Sequence, residues 1–188
     1  MNVYFDNAAT TSIRKEVIDK MSFVMKEAYG NPSSTHSFGR KSKSYLENAR
    51  KSIASILNAE PKEIIFTSGG TESDNMIIQR AVLDLNVKTI ISSPIEHHAV
   101  IHAIKNLDNI KYNNVLLTKD GSIDLEHLEK LLIENNDLKL VSLMHVNNEI
   151  GNILDLKKVG ELCKNNNAYF HTDAVQGIGH FEIDLKEL

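Results

Sequence analysis

The feature that most constrains the fold is a regular alternation of short apolar runs with amphipathic stretches from residue 63 onward. Runs such as KTIIS at 88–92 and LKLVSLMHV at 138–146 predict buried strands, whereas the leucines of 125–135 recur at helical spacing. Strands that alternate with helices of about 10–15 residues are typical of right-handed βαβ units. We therefore predict an α/β fold, a three-layer sandwich in which helices cover both faces of a mostly parallel sheet.

The same patterns set the predicted elements along the whole chain. Strands are predicted at 63–67, 88–92, 112–117, 138–146 and 168–171. Helices are predicted at 14–27, 41–57, 72–85, 96–107, 125–135 and 156–164, with irregular structure at 8–11 and 30–39 and a turn at Asp120-Gly121. Because no repeat, low-complexity tract or linker divides the sequence, we predict an N-terminal arm over 1–14 and one domain over 15–188.

Composition excludes several classes of protein. Apolar residues make up 41% of the 188, enough for a folded core, and the formal net charge of −4 offers no electrostatic footprint for nucleic acid. The single cysteine cannot form an internal disulfide, which excludes a disulfide-stapled secreted scaffold. No signal peptide or membrane-spanning run is visible, so we expect a cytoplasmic protein without a membrane partner.

Polar residues follow the predicted strands, where an open parallel sheet binds its ligands. They are Thr67, Ser68, Gly69, Gly70 and Thr71 after the first strand, Glu96, His97 and His98 after the second, His145, Asn147, Asn148 and Glu149 after the fourth, and His171, Thr172, Asp173 and Gln176 at the last. Each group alone could be a polar connector. Four such groups on one rim predict a binding site there.

The segment EIIFTSGGTESDN carries the most specific of these signals. Two glycines between a strand and a helix would leave the N–H groups of Gly70 and Thr71 unpaired at the positive end of the helix dipole, an arrangement that binds phosphate. No lysine follows the glycines, and GxGxxG is not matched, so neither a Walker A loop nor a dinucleotide site is indicated. The alternative is a capping box between Thr71 and Asp74.

Four other side chains have two interpretations each. His98 and His102 have the i, i+4 spacing of metal ligands, but without an HExxH partner or a cysteine cluster we expect no metal site and favour surface histidines. His97 stands at a strand-to-helix corner, where it could lie against a bound ring or simply pack. Asp173 is either a capping group or a carboxylate that pairs with a buried cation.

Six motifs together identify a family. YFDNAATT, GNPSSTHSFGR, FTSGGTESDN, EHHAV, MHVNNEIG and FHTDAVQ occur in this order and strongly resemble the cysteine desulfurases, in the class V aminotransferase group of pyridoxal 5'-phosphate (PLP) enzymes. GNPSSTHSFGR is similar to the housekeeping and nitrogen-fixation branch. The resemblance implies the large domain of fold type I PLP-dependent transferases, PLP as the cofactor and a homodimer.

The resemblance also assigns site residues. Gly70 and Thr71 match the phosphate-binding turn, and Asn148 and Gln176 match groups that hydrogen-bond the 3-oxygen of the ring. His97 matches the catalytic histidine that stacks on the ring and is implicated in proton transfer.

Asp173 matches the carboxylate that pairs with the pyridinium nitrogen. That ion pair would keep the ring protonated, so that it accepts the electrons released when a substrate Cα–H bond breaks.

The reaction implied by the resemblance converts L-cysteine to L-alanine and leaves the sulfur as an enzyme-bound persulfide. Iron–sulfur scaffold proteins or other sulfur acceptors would then receive it. The chemistry needs a lysine that holds PLP as a Schiff base and a mobile cysteine thiolate. Lys186 lies in IDLKEL, which matches the segment before the Schiff-base lysine, and Cys163 lies in a helical pattern as a buried apolar residue.

We therefore expect the N-terminal part of a desulfurase, a large domain truncated before its Schiff-base lysine segment, which by itself is inactive and binds PLP weakly. An unpaired sheet edge would make this chain associate. One alternative is another class V PLP enzyme, such as a selenocysteine lyase or an aminotransferase. The other is a non-catalytic module that dimerises with or regulates a complete enzyme.

Overall fold

A computed structural model describes residues 1–188. Six α-helices are present: α1 (Lys15–Glu27), α2 (Ser37–Ile56), α3 (Gly70–Leu83), α4 (His98–Lys105), α5 (Leu125–Ile133) and α6 (Leu156–Asn165). Four strands form one sheet: β1 (Thr89–Ser92), β2 (Lys111–Asn114), β3 (Lys139–Ser142) and β4 (Tyr169–His171). A short 3-10 helix spans Pro61–Glu63. None of the six helices combines the length and apolar character needed to cross a membrane.

The chain forms two compact units. The helical unit comprises residues 1–65 with 184–186, and the α/β unit comprises residues 66–183 with 187–188. The sequence-based division into an arm over 1–14 and a domain over 15–188 stays a prediction.

The α/β unit is built on a fully parallel sheet with strand order β2-β1-β3-β4. Ile90 of β1 pairs with Tyr112 of β2 on one side and with Leu140 of β3 on the other. The chain thus adds β2 on one side of β1 and β3 on the opposite side. This reversal between β1 and β3 is a topological switch point, where the loops at the carboxyl ends of an open α/β sheet separate and leave a crevice.

Both faces of the sheet are covered by helices, as the alternation of the sequence predicts. Ile90 and Leu140 pack with buried residues of α3 and α4, whereas Ile91 and Val141, the next residues along the same strands, pack with those of α5 and α6. Successive strand residues point to opposite faces, so these apolar runs supply two cores at once. Each fully buried Ile, Leu or Val contributes about 1.5–3 kcal/mol to stability. Because helices cover both faces of the parallel sheet, the prediction of a three-layer sandwich is confirmed.

One predicted strand, 63–67, is wrong. The structure ends the 3-10 helix at Glu63, and the Ile64 N–H donates to the Pro61 carbonyl oxygen at 3.2 Å instead of to a neighbouring strand. Apolar, β-branched residues satisfy the strand pattern, but none of the strand pairings of the sheet includes this segment, and Ile65 remains exposed. The other predicted strands and helices are present, with ends displaced by four residues or fewer.

The irregular stretch predicted at 30–39 is also too long, because α2 begins at Ser37. His36 is the N-cap, and its ring Nδ1 accepts a hydrogen bond from the Gly39 N–H at 3.3 Å. Gly39 lies so close to the preceding turn that a Cβ atom there would stand 2.3 Å from the carbonyl oxygen of Ser34. A glycine that looked like a loop residue is therefore a close-packing position of a helix.

In the helical unit, α1 and α2 are joined by a few local contacts. The Phe23 and Tyr45 rings meet edge to face at 6.5 Å, and the Lys41 ammonium donates to the Glu27 carboxylate at 2.8 Å. No residue of α1 is buried, and its apolar residues Val17, Ile18, Met21, Phe23 and Met25 are about half exposed or more.

Candidate functional site at the carboxyl ends of the strands

The polar groups predicted to share one rim are joined by contacts within the α/β unit. A Cβ atom on Gly70 would lie 3.0 Å from Cγ2 of Val175, which places the start of α3 beside the loop after β4. The His145 N–H donates to the Asp173 carbonyl oxygen at 2.9 Å, and the Asn147 side chain donates to the Ile95 carbonyl oxygen at 2.7 Å. The loops after β1, β3 and β4 and the first turn of α3 thus form one continuous rim.

The first turn of α3 presents backbone N–H groups without a side-chain cap. Gly69 is the N-cap, and a Cβ atom there would meet nothing within 4 Å. The first N–H groups of any helix have no intrahelical partner, so those at Gly70 and Thr71 are available to an anion. The Glu72 carboxylate folds back to accept hydrogen bonds from the Ser68 N–H and hydroxyl, both at 2.6 Å, which lowers its pKa.

The alternative interpretation, a capping box between Thr71 and Asp74, is wrong. Thr71 lies inside the helix, and Asp74 is buried, with its Oδ1 3.4 Å from Nε2 of His171. The carboxylate faces the sheet and not the helix terminus. Its partner comes from β4, which no local sequence pattern could indicate.

His97 caps α4 and presents an exposed ring. Its Nδ1 accepts a hydrogen bond from the Ala99 N–H at 3.2 Å, which leaves Nε2 as the nitrogen that carries the ring proton. The two histidines considered as metal ligands, His98 and His102, stack on each other with ring centroids 5.3 Å apart. The structure therefore sets His97 apart from both: one nitrogen holds the helix terminus and the other is turned away from that bond.

Asp173 is 9% exposed and directly follows the strand β4 and Thr172. Its Oδ1 accepts a hydrogen bond from the Val175 N–H at 2.9 Å, so the carboxylate is held by the turn that also carries Gln176. Gln176 itself is half-buried. The structure shows Asp173 as a capping group of this turn, and its pairing with a buried cation stays a prediction.

Asn148 is half-buried in a loop that its neighbour Asn147 organises. The Asn147 side-chain oxygen accepts from the N–H groups of Glu149 and Ile150 at 2.8 and 2.9 Å. The Asn148 amide donates to the Glu149 carboxylate at 2.9 Å. Asn147, 5% exposed, is thus the structural residue of the pair, and Asn148 lies nearer the solvent.

Sequence reasoning counted Glu96 among the rim residues but gave it no role. It is 6% exposed, and its Oε1 accepts from the Ser93 hydroxyl at 2.6 Å and from the Met144 N–H at 3.1 Å, while its buried Oε2 has no partner. Burial raises its pKa to about 7, against the two hydrogen bonds and with the help of the nearby Asp173 and Asp74 charges. The sequence signal that could have indicated a role for Glu96 is its position directly before His97.

Two further buried polar atoms of this rim have no partner within the protein. They are Nδ1 of His145 and Oγ1 of Thr172. Burial lowers the pKa of His145, so its ring is favoured in the neutral form. Buried polar groups in folded proteins are usually paired, and each orphan on a ligand-binding rim is a group that a bound molecule or water could satisfy.

Together, the rim combines an unpaired helix N-terminus, an exposed imidazole, a buried carboxylate and two side-chain amides. These groups suit a ligand that carries both a phosphate and a polar heteroaromatic ring. The family model described as "Aminotransferase class-V" matches residues 3–188, and the chain belongs to that family.

Named relatives narrow the similarity. The chain is 45% identical over 190 residues to "Cysteine desulfurase IscS" of Dictyoglomus turgidum, covering 99% of this chain and 48% of the relative. A solved structure described as "NIFS-LIKE PROTEIN" superposes with a TM-score of 0.93 at 39% identity, covering 99% of this chain and 52% of that one.

A second solved structure, "SspA in complex with cysteine", has a TM-score of 0.92 at 30% identity and covers 98% of this chain and 54% of that one. The chain thus spans about half the length of the relatives it matches. Its fold is the fold type I architecture that the resemblance implies, and the recognition of a desulfurase-like N-terminal part is confirmed. The roles of individual residues at the rim stay predictions.

Proposed function

We propose that this chain forms the PLP-binding part of a cysteine desulfurase, which converts L-cysteine to L-alanine and passes the sulfur to acceptor proteins of iron–sulfur cluster assembly. One observation carries the proposal: the open first turn of α3 at Gly70 adjoins, through Val175, the turn that holds the buried Asp173 carboxylate. The groups that would bind a phosphate and a ring nitrogen are therefore neighbours on one rim, which supports the proposal.

The residues fit PLP by their chemistry. The N–H groups of Gly70 and Thr71 would hold the phosphate, where the helix dipole favours negative charge. The side chains of Asn148 and Gln176 would donate to the 3-oxygen of the ring. When bound, PLP supplies a pyridinium ring that accepts electrons from the substrate.

Asp173 and His97 have complementary roles in this proposal. The Asp173 carboxylate, held by the Val175 N–H, would keep the proton on the ring nitrogen. His97 would lie on the ring face and move a proton at Nε2, because its Nδ1 is occupied by the Ala99 N–H. The helix cap thus orients the imidazole before any ligand arrives.

The thiolate that attacks the substrate sulfur is not Cys163. This residue is 1% exposed in the apolar core beside α5, and burial raises the pKa of its thiol to about 12. A nucleophilic cysteine needs an exposed site and a lowered pKa. The bland interpretation of Cys163 as a buried apolar residue is confirmed.

Three features of the working protein belong to the same proposal: a homodimer, cytoplasmic location and sulfur-acceptor partners. The names of the IscS relatives and the cysteine complex of SspA support the substrate class. The half-exposed apolar residues of α1 support association.

The test uses the protein that contains this chain, loaded with PLP and given L-cysteine. We expect alanine and sulfide in equal amounts in the presence of a reductant, and loss of both in Asp173→Ala. An exposed carboxylate variant, Glu161→Ala on α6, serves as the control and should retain full activity. Amino-group transfer without sulfide would contradict the proposal and indicate an aminotransferase.

For the 188 residues alone, we expect reversible PLP binding only. Borohydride reduction in the presence of PLP, followed by intact mass measurement, should yield no phosphopyridoxyl adduct at Lys186. An adduct there would contradict the assignment of the covalent site to another lysine.

A further inference from the structure

A buried chain of three polar side chains runs beneath the rim. Ser142 at the end of β3, His171 at the end of β4 and Asp74 on α3 are all 9% exposed or less. The Ser142 hydroxyl lies 2.9 Å from Nδ1 of His171, and Oδ1 of Asp74 lies 3.4 Å from Nε2 of the same ring. His171 therefore bridges the sheet and the helix α3 through both of its nitrogens.

The two ends of this bridge are next to the two halves of the proposed cofactor site. Asp74 lies three residues after Thr71, one turn into the helix whose first N–H groups would hold the phosphate. His171 lies two residues before Asp173 on the same strand and its extension.

We propose that His171 is a positioning residue, which holds the phosphate-binding start of α3 in register with the Asp173 carboxylate through its contact with Asp74. This inference rests on the proposed function, because it concerns the same PLP site. It extends the site to two residues that would not touch the cofactor.

The burial of the bridge makes it a rigid link. An imidazole and a carboxylate that are both withdrawn from water interact more strongly than an exposed pair, and an unpaired partner would remain desolvated. Other charged groups lie nearby, since Asp74 and Asp173 both act on the carboxyl group of Glu96. Removal of the imidazole would therefore leave Asp74 near two other buried acids, Glu96 and Asp173, without its contact to His171.

The spacing between the start of α3 and Asp173 should affect the affinity for PLP differently from the affinities for pyridoxal and phosphate. PLP must satisfy both subsites at once, whereas pyridoxal needs only the ring subsite and inorganic phosphate only the start of α3. Two linked subsites favour a ligand that spans them only when their spacing matches it. A loss of register should thus weaken PLP and leave its two halves unaffected.

Two isosteres separate the two nitrogens of His171. Glutamine places its terminal amide near the position of Nε2 and keeps the link to Asp74, whereas asparagine places its amide near Nδ1 and keeps only the link to Ser142. We expect His171→Asn to bind PLP about tenfold more weakly than His171→Gln, with pyridoxal and phosphate affinities within about twofold of the unaltered chain. Absorbance titration measures PLP and pyridoxal, and the NMR shift of the Gly70 amide measures phosphate.

A second pair repeats the test from the helix, in case a histidine variant does not fold. Asp74→Asn keeps a side-chain oxygen at the position that lies 3.4 Å from Nε2, and Asp74→Ala removes it. The same selective loss of PLP affinity is expected in Asp74→Ala alone.

Each outcome has a distinct meaning. Equal weakening of all three ligands, or no weakening in either disrupted variant, would overturn the positioning role while the proposed function stands. If the unaltered chain does not prefer PLP over pyridoxal, the proposed function fails, and the inference fails with it.

Discussion

The α/β unit and the helical unit treat their apolar residues in opposite ways. In the α/β unit, Ile90, Ile91 and Val141 are completely buried between helices. In the helical unit, α1 buries no residue, and Met21 in its centre remains 51% exposed. Apolar residues stabilise a fold only to the extent that folding removes them from water. The buried residues of the α/β unit therefore stabilise that unit, whereas the apolar residues of α1 remain exposed, as is typical of a surface that binds a partner.

The largest expected effect breaks the core of the α/β unit. Leu128 of α5 is fully buried against the sheet, so Leu128→Ala should lower the free energy of unfolding by about 2–5 kcal/mol. Denaturant unfolding followed by circular dichroism measures it. Leu83→Ala, on the exposed end of α3, is the matched control and should change stability by less than about 0.5 kcal/mol. Equal effects at the two leucines would contradict this contrast.

A second effect comes from the carboxyl group of Glu96. Its pKa is raised from an ordinary 4.5 to about 7 in the folded chain, so the folded state binds more protons than the unfolded state between these values. Stability should be fully supported below about pH 4.5 and decline as the pH rises to about 7, by an amount on the order of 3 kcal/mol.

Glu96→Gln is the matched variant for that decline, since an amide keeps the acceptor for Ser93 and Met144 without the charge. We expect this variant to lose the decline over the same pH range. The exposed Glu161→Gln serves as the control and should keep the decline. A decline that persists in Glu96→Gln would assign it to another group.

The sequence predicted the features that depend on local residues and missed those that depend on residues distant in the chain. The apolar run that contains Ile90 and Ile91 predicted a core on each face of the sheet, because successive residues of a strand point to opposite faces. The segment 63–67 has the same local pattern, but a strand also needs a neighbouring strand, and that depends on residues far along the chain.

The site divides in the same way. The rim residues could be predicted because they directly follow strands, and the parallel sheet aligns those ends. The partner of Asp74 could not, since His171 is distant in sequence and only the folded sheet brings the two side chains to 3.4 Å. The raised pKa of Glu96 likewise depends on burial and on Asp74 and Asp173, which its own segment does not contain.

A smaller effect on stability distinguishes folding from function at His97. His97→Ala removes the acceptor for the Ala99 N–H and should cost about 1 kcal/mol, whereas His97→Asn retains an N-cap and should cost little. Both variants should lose cysteine turnover in the protein that contains this chain, because neither carries the imidazole. Thermal unfolding and alanine release are the two measurements. Cysteine turnover that is retained in His97→Asn and lost only in His97→Ala would contradict the proposed role of the imidazole.

The smallest effect on stability is expected in the helical unit. Met21→Ser on α1 should change the free energy of unfolding by less than about 0.5 kcal/mol, because the side chain is not buried. The same change should weaken association of the chain, measured by light scattering, if the apolar residues of α1 lie in a contact between copies. Lys15→Ser, on the same helix with an 85% exposed side chain, is the control. A large loss of stability without a change in association would contradict the comparison of the two units.

The most direct test of the central claim is the crystal structure of the chain grown with PLP. We predict the phosphate at the N–H groups of Gly70 and Thr71, and the ring nitrogen within hydrogen-bond distance of the Asp173 carboxylate, at about 2.7–3.2 Å. PLP bound elsewhere, or a phosphate at α3 with the ring turned away from Asp173, would contradict the claim that this rim is a PLP site.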